Sequence, residues 1–243
     1  MTDRRFPEIK ICGLTDPEQA AACAELGADA IGLVFFPKSP RNVSVEQAAA
    51  ITAALPDHVA AVGVFVDADV QTLRKTIETC PLSVAQLHGS ESPHLVAELR
   101  RSSSARIVKA LFAQKEPYLS AAGPYDVDGY LVECGKGPLP GGNAVAWNWA
   151  VAEEFGRHFP LVLAGGLSPD NVIQAISACL PDAVDASSGL EAAPGVKDLE
   201  KVAHFIQQVR QSATLYETSK RNIRSILTST HAPGGSHVRN NRH

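Results

Sequence analysis

Eight short apolar runs recur along the chain, at residues 8–14, 30–36, 60–66, 83–87, 106–112, 129–134, 161–164 and 183–186, and helix-like stretches separate them. Strands that are apolar at consecutive positions and alternate with helices require a parallel sheet covered on both faces. Eight is the strand number at which such a sheet closes around a side-chain-filled interior. The expected fold is therefore α/β, a TIM (β/α)8 barrel forming a single domain over residues 8–212. Its length of 243 residues and 45% apolar content suit one such core.

Local signals set the helix starts. Asp16 precedes Pro17 and Gln19, and Ser44 precedes Gln47, both in the spacing of a side-chain cap with a residue that reaches back. Further helices are expected through residue 77, over 93–101, briefly near 118–122, from about Trp147, after Ser168 as cap with Pro169 behind it, and over 197–211. Beyond residue 212 the chain is polar, contains Pro233-Gly234-Gly235, and has only a weak cluster of Ile223, Ile226 and Leu227. Residues 213–243 are expected to form a flexible tail without chemistry.

Net charge is −4, and the segment after 212 holds an excess of positive charge, so the barrel body is more acidic still. That argues against a nucleic-acid binder. Five cysteines without a C-x-x-C pair, no apolar leader and no run of membrane-spanning length point to reduced thiols in the cytoplasm.

Catalytic groups in a barrel come from the C-terminal ends of its strands, which leaves Cys12, Arg41, Asp67, Gln86, His88, Lys109, Glu133 and Asp185 as candidates. Gln86 and His88 are two apart on one strand and share a side, facing either the site or a barrel layer. Arg41 could grip a carboxylate or phosphate bidentately, or be a solvated loop charge. Lys109, inside a buried strand, needs a carboxylate partner or a ligand. The last two strands break into Gly165-Gly166 and Ser187-Ser188-Gly189. Glycines admit an anion close to backbone N–H groups and hydroxyls add donors, so these loops form a candidate phosphate seat.

With these residues in place, the chain resembles the phosphoribosylanthranilate isomerase family. The resemblance is carried by Lys10-Ile11-Cys12-Gly13-Leu14-Thr15, Gly27-Ala28-Asp29-Ala30-Ile31-Gly32, Ser39-Pro40-Arg41, Val64-Phe65-Val66-Asp67, Gln86-Leu87-His88-Gly89, Lys109-Ala110, Leu163-Ala164-Gly165-Gly166-Leu167 and Asp185-Ala186-Ser187-Ser188-Gly189-Leu190-Glu191, then Pro194-Gly195-Val196-Lys197-Asp198. It implies an Amadori rearrangement of N-(5-phosphoribosyl)anthranilate to 1-(2-carboxyphenylamino)-1-deoxyribulose 5-phosphate in tryptophan biosynthesis, with no metal or organic cofactor. Cys12 would be the general base, Arg41 would hold the anthranilate end, Asp185 the sugar hydroxyls, and Gln86 and His88 would face the substrate. The partner would be a small phosphosugar, with no nucleic acid or membrane, and the protein a monomer or homodimer.

Two departures mark the sixth strand. The family's acid is an aspartate where this chain has Glu133, and the loop after it reads Gly141-Gly142-Asn143-Ala144 and Trp147-Asn148-Trp149 in place of the family's Gly-Gly-Ser/Thr-Gly and Phe-Asp-Trp. Two other functions stay open on sequence alone. One is a non-catalytic phosphosugar-binding barrel, and the other an isomerase or lyase acting on a related sugar phosphate.

Overall fold

A computed structural model describes residues 4–136 and 146–228. The strands β1 (Glu8–Cys12), β2 (Ala30–Phe35), β3 (Ala60–Phe65), β4 (Val84–Leu87), β5 (Arg106–Phe112), β6 (Gly129–Glu133), β7 (Leu161–Leu163) and β8 (Ala183–Ala186) pair in parallel, each with the next, and β8 returns to β1. The closed (β/α)8 barrel is the expected fold.

Around it lie α1 (Pro17–Glu25), α2 (Val45–Ala54), α3 (Val70–Thr79), α4 (Pro93–Ser102), a 3-10 turn at Leu119–Ala121, α5 (Val151–His158), α6 (Val172–Cys179), a second 3-10 turn at Ser188–Leu190 and α7 (Leu199–Gln211). A small hairpin, β9 (Glu191–Ala193) and β10 (Val196–Lys197), sits between β8 and α7. Asp16 caps α1 by accepting from the Gln19 N–H, and Ser44 and Gln47 form a reciprocal capping box on α2.

Alternation along each strand sorts side chains into two shells. Ile9, Ile11, Leu33, Leu111, Val132 and Val184 belong to the large core between barrel and helices. Ala30, Val62, Val84, Val108, Leu131, Val162 and Ala183 fill the barrel itself. The inward parity, continued toward the strand ends, carries Lys10, Cys12, Gln86, His88, Glu133 and Asp185 into the mouth.

Three expectations are corrected. The helix after β7 starts at Val172 rather than behind a Ser168 cap. Asn171 Oδ1 instead accepts from the Ser168 N–H at 2.9 Å while its amide donates to Gly166 O at 2.8 Å, which commits residues 168–171 to a turn. The helix expected from Trp147 starts at Val151, because the Trp147 indole N–H donates to Ala164 O at 3.0 Å and that of Trp149 approaches Gly165 O at 3.4 Å. Those residues lash the loop to the end of β7.

The third correction concerns the C-terminal segment. Ala213–Ser219 form a further helix, α8, and the chain then turns under the barrel floor, where Ile226 and Leu227 are buried among its interior residues. Glu8, fully buried at the start of β1, accepts from the N–H groups of Ile226 (3.0 Å), Leu227 (2.7 Å) and Thr228 (3.2 Å). Arg224 donates to Asp182 at 2.7 Å, and Arg106 to the carbonyls of Ser225 and Ile226. A cluster that looks weak by periodicity is therefore a plug whose backbone donors meet a buried carboxylate. Residues 229–243 lie outside the described part of the chain.

Candidate active site

The mouth is built where β6, β7 and β8 end. Glu133, Gly165, Gly166, Asp185, Ser187, Ser188 and Gly189 line one pocket, together with Lys136. The residues expected to seat a phosphate thus converge with the expected acid and with Asp185. A Cβ on Gly189 would fall 2.1 Å from Leu167 O, so the last two loops touch only because that residue is glycine. Gly165 takes φ +89°, and a side chain there would collide with the Trp147 indole and approach the Glu133 stem. Lys136, at the edge of the described loop, adds a cation that the sequence reading does not single out.

Glu133 is buried at the end of β6. Across the mouth, just past the end of β4, His88 Nε2 lies 3.6 Å from Glu133 Oε1, and Gln86 Nε2 lies 3.0 Å from His88 Nδ1. Gln86 and His88 therefore point into the barrel interior toward Glu133. His88 also stands edge-on to Phe112, with ring centroids 5.6 Å apart.

Cys12 ends β1 in register with Gly32 of β2. A Cβ on Gly32 would come within 2.6 Å of Cys12 Sγ, so the thiol occupies space that only glycine leaves. Burial pushes this thiol up, Lys10 and Lys197 pull it down, and the net position is above the ordinary thiol range. Lys10, on the same inward face, donates to Asp185 Oδ1 at 2.9 Å. Burial lowers the Lys10 pKa, but Asp185 and Cys12 outweigh it and leave the ammonium above its usual value.

Arg41 is buried and engages Glu191 through two parallel bonds of 2.7 Å each. Glu191 also accepts from Lys197 Nζ at 2.8 Å. Its carboxyl is penalised by burial, yet the Arg41 and Lys197 bonds hold it below the usual carboxylate range. Glu191 and Lys197 lie within the motifs quoted above, but nothing local in the sequence announces that they meet Arg41.

Two candidates sit elsewhere. Lys109 has outward parity and is buried against Glu91, 3.0 Å away, with Gly89 O at 2.7 Å, so it finds its carboxylate between barrel and helices. Asp67 accepts from the Ser90 N–H at 2.6 Å and steadies the loop after β4. Among the described residues no group of three or more His, Cys, Asp or Glu could hold a metal, and no helix is long and apolar enough to cross a membrane.

The family model for N-(5'-phosphoribosyl)anthranilate (PRA) isomerase matches residues 9–208. An N-(5'-phosphoribosyl)anthranilate isomerase of Desulfatibacillum aliphaticivorans is 49% identical over 213 residues, covering 88% of this chain and 97% of its own. The crystal structure of phosphoribosyl anthranilate isomerase from Thermotoga maritima superposes with a TM-score of 0.77 at 34% identity, covering 85% of this chain and all of its own. Another solved isomerase, in complex with reduced 1-(o-carboxyphenylamino)-1-deoxyribulose 5-phosphate, superposes with a TM-score of 0.75 at 34% identity over 85% of this chain and all of its own.

Proposed function

The chain belongs to the phosphoribosylanthranilate isomerase family, and from that premise we propose that its barrel mouth converts N-(5'-phosphoribosyl)anthranilate to 1-(2-carboxyphenylamino)-1-deoxyribulose 5-phosphate with Glu133 as acid and Cys12 as base. The reaction is the isomerase step of tryptophan biosynthesis. The observation that carries the assignment of roles is the convergence of Glu133 and Asp185 with the two glycine-containing loops in one pocket, next to the Lys10–Asp185 pair that flanks Cys12.

In this reading the phosphate sits against Gly165, Gly166, Ser187, Ser188 and Gly189, where backbone N–H groups and hydroxyls can donate to its oxygens. Glu133 gives its proton to the ribose ring oxygen. The C1–O bond breaks, and the anthranilate nitrogen lone pair forms the C1=N Schiff base. Cys12, as thiolate, takes the proton from C2, and those electrons form a C1=C2 enolamine as the C1=N bond returns to an amine. Proton transfer from the C2 hydroxyl to C1 gives the ketone. C2 is oxidised and C1 reduced within one molecule, so neither an external oxidant nor a reductant enters.

In this reading Asp185, paired with Lys10 at 2.9 Å, accepts from a sugar hydroxyl. Arg41 is held by Glu191 with its guanidinium oriented, which suits a group that meets the anthranilate carboxylate. Gly165 leaves Glu133 room at its Cβ, where any side chain on residue 165 would press against it.

The test is the decay of fluorescence when the purified protein meets freshly generated phosphoribosylanthranilate, with the product identified by co-migration with the ketose phosphate. Decay with that product supports the assignment. No decay, with inorganic phosphate still bound, would support instead a phosphosugar-binding barrel without turnover.

A further inference from the structure

Five charged side chains and one thiol meet where the first and last strands end. Lys10 pairs with Asp185 at 2.9 Å, and Glu191 pairs with Arg41 at 2.7 Å and with Lys197 at 2.8 Å. Lys197 Nζ also donates to Ser187 O at 3.3 Å and lies 3.5 Å from Ser187 Oγ, which itself donates to Cys12 O at 2.9 Å. The side chains of Lys10 and Lys197 are fully buried, and those of Arg41, Glu191 and Asp185 are at most 10% exposed.

Three cations here face two carboxylates. An unmatched charge in a desolvated cluster is costly, and loss of one proton from Cys12 brings the cluster to neutrality. We propose that Lys197, anchored by Glu191 and Ser187, is the charge-balancing cation of the Cys12 thiolate and sets the pH range in which that thiol can act as a base. The inference rests on the assignment of Cys12 as the base.

Each element around the thiol contributes to this balance. Lys10 comes from its own strand, Asp185 from β8, Lys197 from β10 and Arg41 from the loop after β2, with Glu191 on β9 joining the last two. Asp185 opposes ionisation of the thiol, and Lys10 and Lys197 favour it. Lys10 pulls on the thiol more strongly than Lys197 and hydrogen-bonds to it, but its charge is matched by Asp185. Lys197 shares Glu191 with Arg41, and its positive charge is the one left over.

The experiment follows alkylation of Cys12 by iodoacetamide as a function of pH, read on the Cys12 peptide by mass spectrometry, in the intact protein and in Lys197→Gln, Lys197→Met and Lys197→Arg. Lys197→Gln keeps a donor for Glu191 and so removes charge with the least disturbance of the fold. Lys197→Met provides a second neutral variant. The alkylation profile is expected to move to higher pH in both, with labelling at neutral pH slowed about tenfold, in line with the loss of one nearby charge. Lys197→Arg is expected to restore it, and the basic limb of the kcat/KM profile should move the same way. Unchanged alkylation profiles in both neutral variants would overturn the inference and leave Cys12 as the base. Full turnover by Cys12→Ala would overturn the base assignment and the role of Lys197 with it.

Discussion

His88 Nε2 faces Glu133 Oε1 at 3.6 Å across the mouth, and Gln86 approaches the opposite ring nitrogen at 3.0 Å. With the Gln86 amide nitrogen as donor, Nδ1 accepts and Nε2 carries the hydrogen that points at the carboxyl. In the proposed mechanism the imidazole would orient Glu133, the proposed acid, from across the barrel. Replacing His88 by Asn is expected to lower kcat by about tenfold, the scale of a second-sphere orienting group, with KM little changed. Steady-state kinetics on the fluorescent substrate reads this directly.

Gly32 bears on Cys12, the proposed base. In Gly32→Ala the new methyl would meet Cys12 Sγ at 2.6 Å and the Cys12 Cα at 3.0 Å, so the thiol must shift. A displacement of about 1 Å costs on the order of a hundredfold in rate. The new methyl is not directed at Gly165, Gly166 or Gly189 in the proposed phosphate seat, so affinity for inorganic phosphate should fall far less than turnover.

Glu191 makes stability depend on acid. Its folded pKa is below the ordinary 4.5, so its ion pairs contribute fully above that value and are lost as pH falls through the lower folded one. The melting temperature of Glu191→Gln should lie below wild type near neutral pH, and the gap should close as the pH is taken down toward 3. A gap that stays constant would contradict the pairing with Arg41 and Lys197.

The floor of the barrel depends on its C-terminal plug. Ile226 is fully buried, and Ile226→Ala is expected to destabilise the fold by about 2–5 kcal/mol. Truncation after residue 219 should cost more, since it also strips the Glu8 carboxylate of its backbone donors and Asp182 of Arg224. Chemical denaturation of the two variants measures both effects.

The barrel was legible in the sequence because strand runs and helix starts are local signals, and Asp16 and Ser44 cap where their spacing says they should. Cys12, Glu133, Asp185 and the two glycine-containing loops could be picked out as candidates because a barrel confines its chemistry to strand ends. What could not be read was pairing across the closure. Arg41 and Glu191 are far apart in the chain, as are Glu8 and Ile226, and no periodicity links them. The turn at Ser168 and the late start of α5 escaped for a related reason. Asn171, Trp147 and Trp149 spend their hydrogen bonds on the end of β7, and tertiary partners override local helix signals.

The proposed roles of Glu133 as acid and Cys12 as base on one substrate are tested by comparing turnover of freshly generated phosphoribosylanthranilate by wild type, Cys12→Ala and Glu133→Gln. Each substitution is expected to lower kcat by about 10²–10⁴-fold, the usual contribution of a positioned acid or base, while phosphate affinity is kept. Wild-type turnover in either variant would contradict those roles.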